Sequence, residues 1–149
     1  MRDLSYEIKV SNKADRDLKT FLRNKVREYN REFSPEFKRL DEIKTLPLHI
    51  IVENEMLECV GGLTGRIIWD WLEVDYFWIE KQARGNGLGT EVLAKAEKKA
   101  KTLGASKILL MTFKFQARDF YEKQGYNVVG EIKDYPPGSA YYTLVKHLL

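Results

Sequence analysis

The feature that most constrains the fold lies between Trp71 and Phe113. An apolar, aromatic run (Trp71–Ile79) is followed by Arg84-Gly85-Asn86-Gly87-Leu88-Gly89-Thr90, then by an amphipathic stretch to Leu103, then by a dense apolar run, Lys107–Phe113. The first run predicts a strand, the middle stretch a helix and the last a second strand. Leu88, Val92, Leu93, Ala96, Ala100 and Leu103 form the helix's apolar stripe, and Gly104 stops it. Strand, helix and strand in this order predict a βαβ unit, with parallel strands and a right-handed crossover. The glycines at alternate positions let backbone approach a ligand closely, with positive φ allowed. Amides at a strand-to-helix turn can converge on one anion, helped by the helix dipole. The turn therefore reads as a phosphate cradle, with an ordinary glycine-rich turn as the alternative.

The remaining elements fit around this unit. Leu4–Val10 alternates and predicts a first strand, and Asp15–Asn30 predicts an amphipathic helix on the spacing of Leu18, Phe21, Leu22, Val26 and Tyr29. Ser34-Pro35 opens a short helix reaching Ile43. Leu46–Val52, Leu57–Trp69 and Trp71–Ile79 predict an antiparallel meander, with Gly61, Gly62 and Gly65 marking a bulge or a close backbone approach. The run Ile108-Leu109-Leu110-Met111 predicts a central strand buried on both faces. A short helix near Ala117–Gln124 and strands at Tyr126–Lys133 and Ala140–Leu148 complete the order β-α-α-β-β-β-α-β-α-β-β. The fold class is α/β (α+β), a mixed, mainly antiparallel sheet flanked by helices.

The 149 residues suit one domain, residues 1–149. A net charge of +3 is too small to point to nucleic acid, and no apolar run approaches a membrane span. The lone Cys59 cannot form an internal disulfide and suits a reducing cytoplasm; it reads as a buried, inert thiol. His49 and His147 read as structural, and no cluster has metal-ligand spacing. Whether the chain pairs as a homodimer stays open.

Two phosphate motifs fail at the glycine turn. A P-loop needs Lys-Ser/Thr after its last glycine, where this chain has Thr90-Glu91; a Rossmann fingerprint needs Gly or Ala where Thr90 stands. What fits is Arg/Gln-x-x-Gly-x-Gly/Ala on Arg84, Gly87 and Gly89. A second motif, Ala117-Arg118-Asp119-Phe120-Tyr121-Glu122-Lys123-Gln124-Gly125-Tyr126, follows one helix and one strand later. With both in order, the chain resembles the GCN5-related N-acetyltransferase (GNAT) superfamily over nearly its whole length. It is also similar to a bacterial subgroup with a Tyr-Pro-Pro-Gly loop, here Tyr135–Gly138.

The resemblance implies an acyl-CoA-dependent N-acetyltransferase with acetyl-CoA as cosubstrate and no metal. It implies that backbone groups of Phe77, Trp78 and Ile79 pair with the pantetheine arm. Amides from Arg84, Gly85, Asn86, Gly87, Leu88, Gly89 and Thr90 would hold the pyrophosphate. Tyr121 sits where family members often place the phenol that protonates departing CoA thiolate. Many members carry Asn at the position of Lys114; Gln116 could replace its contact to the arm, or Lys114 could meet a phosphate.

Amine attack on a thioester also needs a proton acceptor. Glu73 is the candidate base and Asp75 a weaker one, on a period of two that puts Glu73, Asp75, Phe77 and Ile79 on one face. The alternative is that these carboxylates face solvent or pair with Arg66 or a lysine. Three readings of function follow: transfer to a small amine, transfer to a protein N-terminus or lysine, and a non-catalytic acyl-CoA-binding module.

Overall fold

The computed structural model describes residues 5–40 and 44–149. The chain divides into two compact units, Met1–Glu42 and Ile43–Leu149. In the first, α1 (Arg16–Phe33) starts where the Asp15 carboxylate accepts the Leu18 amide at 2.9 Å. Ser34 ends α1 and caps α2 (Pro35–Arg39), whose first position is the expected proline. The predicted extension of α2 to Ile43 runs into residues outside those described. Residues 5–10 form no strand, so the first expected strand is corrected; Leu4 lies outside the described residues. Weak alternation makes a strand only where a ladder partner exists, and none pairs with this stretch among the described residues.

The second unit is a six-stranded sheet in the order β1-β2-β3-β4-β6-β5. Its strands are β1 (Leu46–Glu53), β2 (Cys59–Ile68), β3 (Trp71–Ile79), β4 (Lys107–Phe113), β5 (Asn127–Lys133) and β6 (Ala140–His147). Two helices, α3 (Leu88–Thr102) and α4 (Arg118–Lys123), complete it with a single 3-10 turn at Lys81–Ala83. The β1–β2–β3 meander is antiparallel and β3 pairs parallel with β4, as the sequence predicts.

The core lies between α3 and the sheet. Val92, Leu93, Ala96 and Ala100 of α3 meet Leu48, Leu63, Ile67, Leu72, Ile108 and Leu110, and Tyr121 of α4 joins the same cluster. Leu72, Leu93, Ile108 and Leu144 are fully buried, each contributing about 1.5–3 kcal/mol by burial. Both helices of this unit thus cover one face of the sheet. For that reason β4 is not buried on both faces: Ile108, Leu110 and Thr112 are buried, while Met111 is 52% exposed.

The glycines of β2 act as the sequence suggests. A Cβ on Gly62 would overlap the Ile50 carbonyl oxygen, and one on Gly65 the Glu73 carbonyl oxygen. Their absence lets β2 sit tightly between β1 and β3. Cys59 corrects the expectation of a buried thiol. It is exposed at the start of β2, with Sγ 3.4 Å from the Gly61 carbonyl oxygen.

Candidate active site

The site is a fork in the sheet. The parallel ladder between β3 and β4 holds only over Trp71–Glu73 against Lys107–Leu109. Beyond that rung β3 stays paired with β2 as far as Ile79, and β4 stays paired with β6 as far as Phe113. The two strands part, and the β3 edge facing the gap carries backbone groups without a ladder partner. Such an edge can take an extended ligand as an added strand.

A β-bulge stands at the fork. Thr64 pairs with Tyr76 and Gly65 with Val74, so Asp75 is an extra residue in β3. This corrects the expected face sharing. Leu72 and Val74 point into the core, and after the bulge so do Phe77 and Ile79. Glu73 therefore does not share a face with Phe77 and Ile79. It stands on the other face, at the last rung before the strands part, paired in register with Arg66. Arg66 Nη2 donates to Glu73 Oε2 at 3.1 Å, with both groups partly exposed.

The glycine turn closes the far end of the gap. Arg84 Nε donates to the Ile79 carbonyl at 2.7 Å, tying the turn to β3. Gly85 and Gly87 adopt φ of +86° and +82°, and a Cβ on either would meet no protein atom within 4 Å. Gly87 is the left-handed residue before α3. The Asn86 carboxamide oxygen accepts the Leu88 amide at 3.3 Å, and the Gly87 carbonyl accepts Glu91. Among the described residues, the amides of Gly85, Asn86, Gly87, Gly89 and Thr90 have no protein acceptor. Several orphan donors around open space at a helix N-terminus are an arrangement that suits an anion.

A cavity of about 640 Å³ runs along this fork. Phe77, Trp78 and Ile79 line one side and Arg84, Gly85, Gly87, Gly89 and Thr90 its end. Gln116, Phe120 and Tyr121 line the opposite side. Asn86 and Leu88 are not among the lining residues: Asn86 turns back as a cap and Leu88 packs on the core. Glu73 and Asp75 are not lining residues either. Lys114 is absent from the lining, whereas Gln116 is present. The Gln116 carboxamide oxygen accepts from the Phe113 amide at 2.8 Å and the Thr112 hydroxyl at 3.3 Å, leaving its NH₂ as the group free to donate. Phe120 of the second motif also lines the cavity, as does Phe115, which no motif marks and whose only sequence signal is its aromatic character beside Gln116.

Tyr121 is 7% exposed and held by T-shaped contacts to Phe77, Phe120 and Tyr126. Its hydroxyl has no hydrogen-bond partner among the described residues, yet it is not a buried unsatisfied atom, so it reaches the cavity. Burial pushes its phenol up to about 12. It therefore keeps its proton across the physiological range and is available there as a hydrogen-bond donor. Around it, Gln124 Nε2 donates to the Thr90 hydroxyl at 3.2 Å, and Lys146 Nζ donates to the Gln124 carbonyl at 2.8 Å. Lys146 also pairs with Glu97 at 2.7 Å, and Glu97 accepts from the Tyr126 hydroxyl at 3.1 Å. These bonds fix the end of α4 against the first turn of α3.

The Acetyltransferase (GNAT) family model matches residues 16–126. The chain belongs to the GNAT family. The match runs across the boundary between the two units. A curated relative, blasticidin-S acetyltransferase of Streptomyces morookaense, is 37% identical, covering 83% of this chain and 96% of its own. A crystal structure of an acetyltransferase from Bacillus cereus ATCC 14579 superposes with a TM-score of 0.81 at 32% identity, covering 94% of this chain and 98% of its own. An aminoglycoside 6'-N-acetyltransferase complexed with coenzyme A shares the fold, with a TM-score of 0.62 at 17% identity and coverage of 91% and 95%. This GNAT protein is thus an acyl-CoA-dependent N-acetyltransferase. Among the described residues no helix is long and apolar enough to cross a membrane, and no group of His, Cys, Asp or Glu gathers to hold a metal.

Proposed function

We propose that this protein moves an acetyl group from acetyl-CoA to a primary amine on a small molecule, by direct attack in a ternary complex. The observation that carries the reading is one cavity joining an amide-lined anion cradle, an unpaired strand edge and a buried phenol. The orphan amides of Gly85, Asn86, Gly87, Gly89 and Thr90 suit a pyrophosphate. The open edge at Phe77, Trp78 and Ile79 suits the amides of a pantetheine arm, and the Gln116 NH₂ suits one of the arm's carbonyls. On this reading the thioester lies near the fork's vertex. There a backbone amide beside the Asp75 bulge polarises the carbonyl as it becomes an oxyanion.

The amine nitrogen then attacks that carbon. The new C–N bond forms first, giving the tetrahedral oxyanion; the nitrogen sheds a proton, and collapse of the adduct breaks the C–S bond and releases the thiolate. Glu73, at the last rung before the fork, is the proposed acceptor of that proton through water. Tyr121 donates a hydrogen bond to the departing thiolate. Holding both substrates together supplies much of the acceleration. A small acceptor is favoured because the relative at 37% identity is named for a small-molecule substrate. The protein is taken to act as a single GNAT domain in the cytoplasm.

The test is initial-rate kinetics of thiol release with both substrates varied. Direct attack predicts intersecting double-reciprocal lines and no burst of thiol without amine. Parallel lines with a burst would mean a covalent acetyl-enzyme and overturn the mechanism.

A further inference from the structure

We propose that the rings of Phe113, Phe115, Tyr135 and Tyr141 form an acceptor shelf, selecting amines carried on a flat aromatic or heteroaromatic body. The inference deepens, and rests on, the acetyl-transfer reading above. The shelf is assembled from three segments. Phe113 ends β4 directly opposite Tyr141 on β6, and Tyr135 comes from the connection between β5 and β6. Phe113 is the middle ring. Phe115 stacks on it at 5.4 Å with an interplanar angle of 7°, and Tyr135 lies 6.1 Å away at 25°. Tyr141 closes the group, 4.6 Å from Phe113 and 5.5 Å from Tyr135. Its hydroxyl is set on the Met111 sulfur at 3.0 Å, which fixes the ring's tilt.

These rings are not core. Phe115 is 68% exposed and Tyr135 55%. Isolated exposed aromatics are ordinary, but here two exposed rings, Phe115 and Tyr135, are joined through the half-buried Phe113 and Tyr141 into one connected cluster, an apolar patch of the kind that marks a binding surface. The patch is continuous with the site, because Phe115 also lines the cavity that holds the glycine cradle and Tyr121. Near-parallel rings present flat faces, which reward a flat partner in offset stacking more than a flexible chain. On the other branch of the fork stand Glu73 and Asp75. An acceptor whose ring rests on the shelf would have its cationic amine drawn toward those carboxylates, beside the vertex.

The experiment compares tyramine and tryptamine with cadaverine, spermidine and a short peptide bearing a free N-terminus, by thiol release with the full chain. Aryl amines should exceed the aliphatic amines and the peptide at least tenfold in kcat/KM. Phe115→Leu and Tyr135→Leu should each raise the aryl-amine KM about five- to fiftyfold, and Tyr135→Leu, outside the cavity lining, should leave the acetyl-CoA KM within about twofold. Phe115→Tyr should restore it. Both positions are exposed, and unchanged melting temperatures will verify folding. Equal or better turnover of aliphatic amines or the peptide would overturn the shelf, as would no turnover of any aryl amine. A rise in the acetyl-CoA KM of Tyr135→Leu would overturn it too, by assigning the rings to the cosubstrate. Failure of the wild type to bind acetyl-CoA in calorimetry would instead overturn the acetyl-transfer reading and take the shelf with it.

Discussion

Tyr121→Phe isolates one oxygen atom. That hydroxyl has no protein partner among the described residues and reaches the cavity, so its removal leaves packing and hydrogen bonds intact. Stability should change by less than about 0.5 kcal/mol. The kinetic effect follows from proton affinities. The phenol is pushed up to about 12 by burial, whereas an ordinary thiol titrates at about 8.5. Burial makes the phenol a weaker acid than an ordinary thiol, so on the proposed mechanism Tyr121 hydrogen-bonds the developing thiolate rather than giving up its proton. A hydrogen bond to a charged group contributes about 1.5–3 kcal/mol, which converts to a fall in kcat of about 10- to 150-fold. Thiol-release kinetics would read kcat, and calorimetry should show unchanged acetyl-CoA affinity. A kcat within twofold of wild type would refute a phenol at the leaving group. A loss far beyond a thousandfold would refute the hydrogen-bonding argument in favour of obligatory proton transfer.

Three further outcomes follow. Glu73→Gln should lower kcat about 10- to 100-fold at neutral pH with little change in melting temperature, and part of the loss should return at higher pH as the free amine deprotonates unaided; a flat pH profile for the ratio would remove Glu73 from proton transfer. Gly65→Ala should destabilise by about 3 kcal/mol, because its Cβ would overlap the Glu73 carbonyl oxygen, and calorimetric melting would read a drop of about 6–12 °C. The Tyr121 phenol titrates higher in the folded state than its ordinary 10.0. Its ionisation therefore costs the fold nothing below about pH 10 and destabilises it progressively as pH rises from there through about 12, by up to about 3 kcal/mol. In denaturant melts, Tyr121→Phe should show a shallower stability loss over that window than wild type.

What the sequence discloses here is local, and what it hides is register. The strand–glycine–helix–strand unit is legible because glycine tolerates the positive φ of Gly85 and Gly87, and because period changes from two to 3.6 mark the elements. The bulge at Asp75 is not legible. One inserted residue resets the face of everything after it, so Glu73 parts company with Phe77 and Ile79. The sequence allows a pairing of Glu73 with Arg66, but only the cross-strand register decides it. The choice between Lys114 and Gln116 likewise turns on a three-dimensional detail. Gln116 commits its oxygen to the turn after β4 and lines the cavity, while Lys114 does not. The apolar run in β4 reads as buried on both faces because composition cannot say that α3 and α4 cover the same one. The aromatic shelf gathers residues more than twenty positions apart, so no local pattern announces it.

Central to the account is that the orphan amides of the glycine turn hold the pyrophosphate of acetyl-CoA. Isothermal titration of acetyl-CoA into wild type and Gly87→Glu tests it most directly. Gly87 lies over open space, so the substitution puts a negative side chain where the anion would sit. The left-handed backbone there adds only about 1–2 kcal/mol of strain. Wild type should bind with a Kd in the micromolar range, and the variant should bind at least a hundredfold more weakly while still melting cooperatively. Equal affinity in both proteins would contradict the cradle, and no binding by wild type would contradict the function.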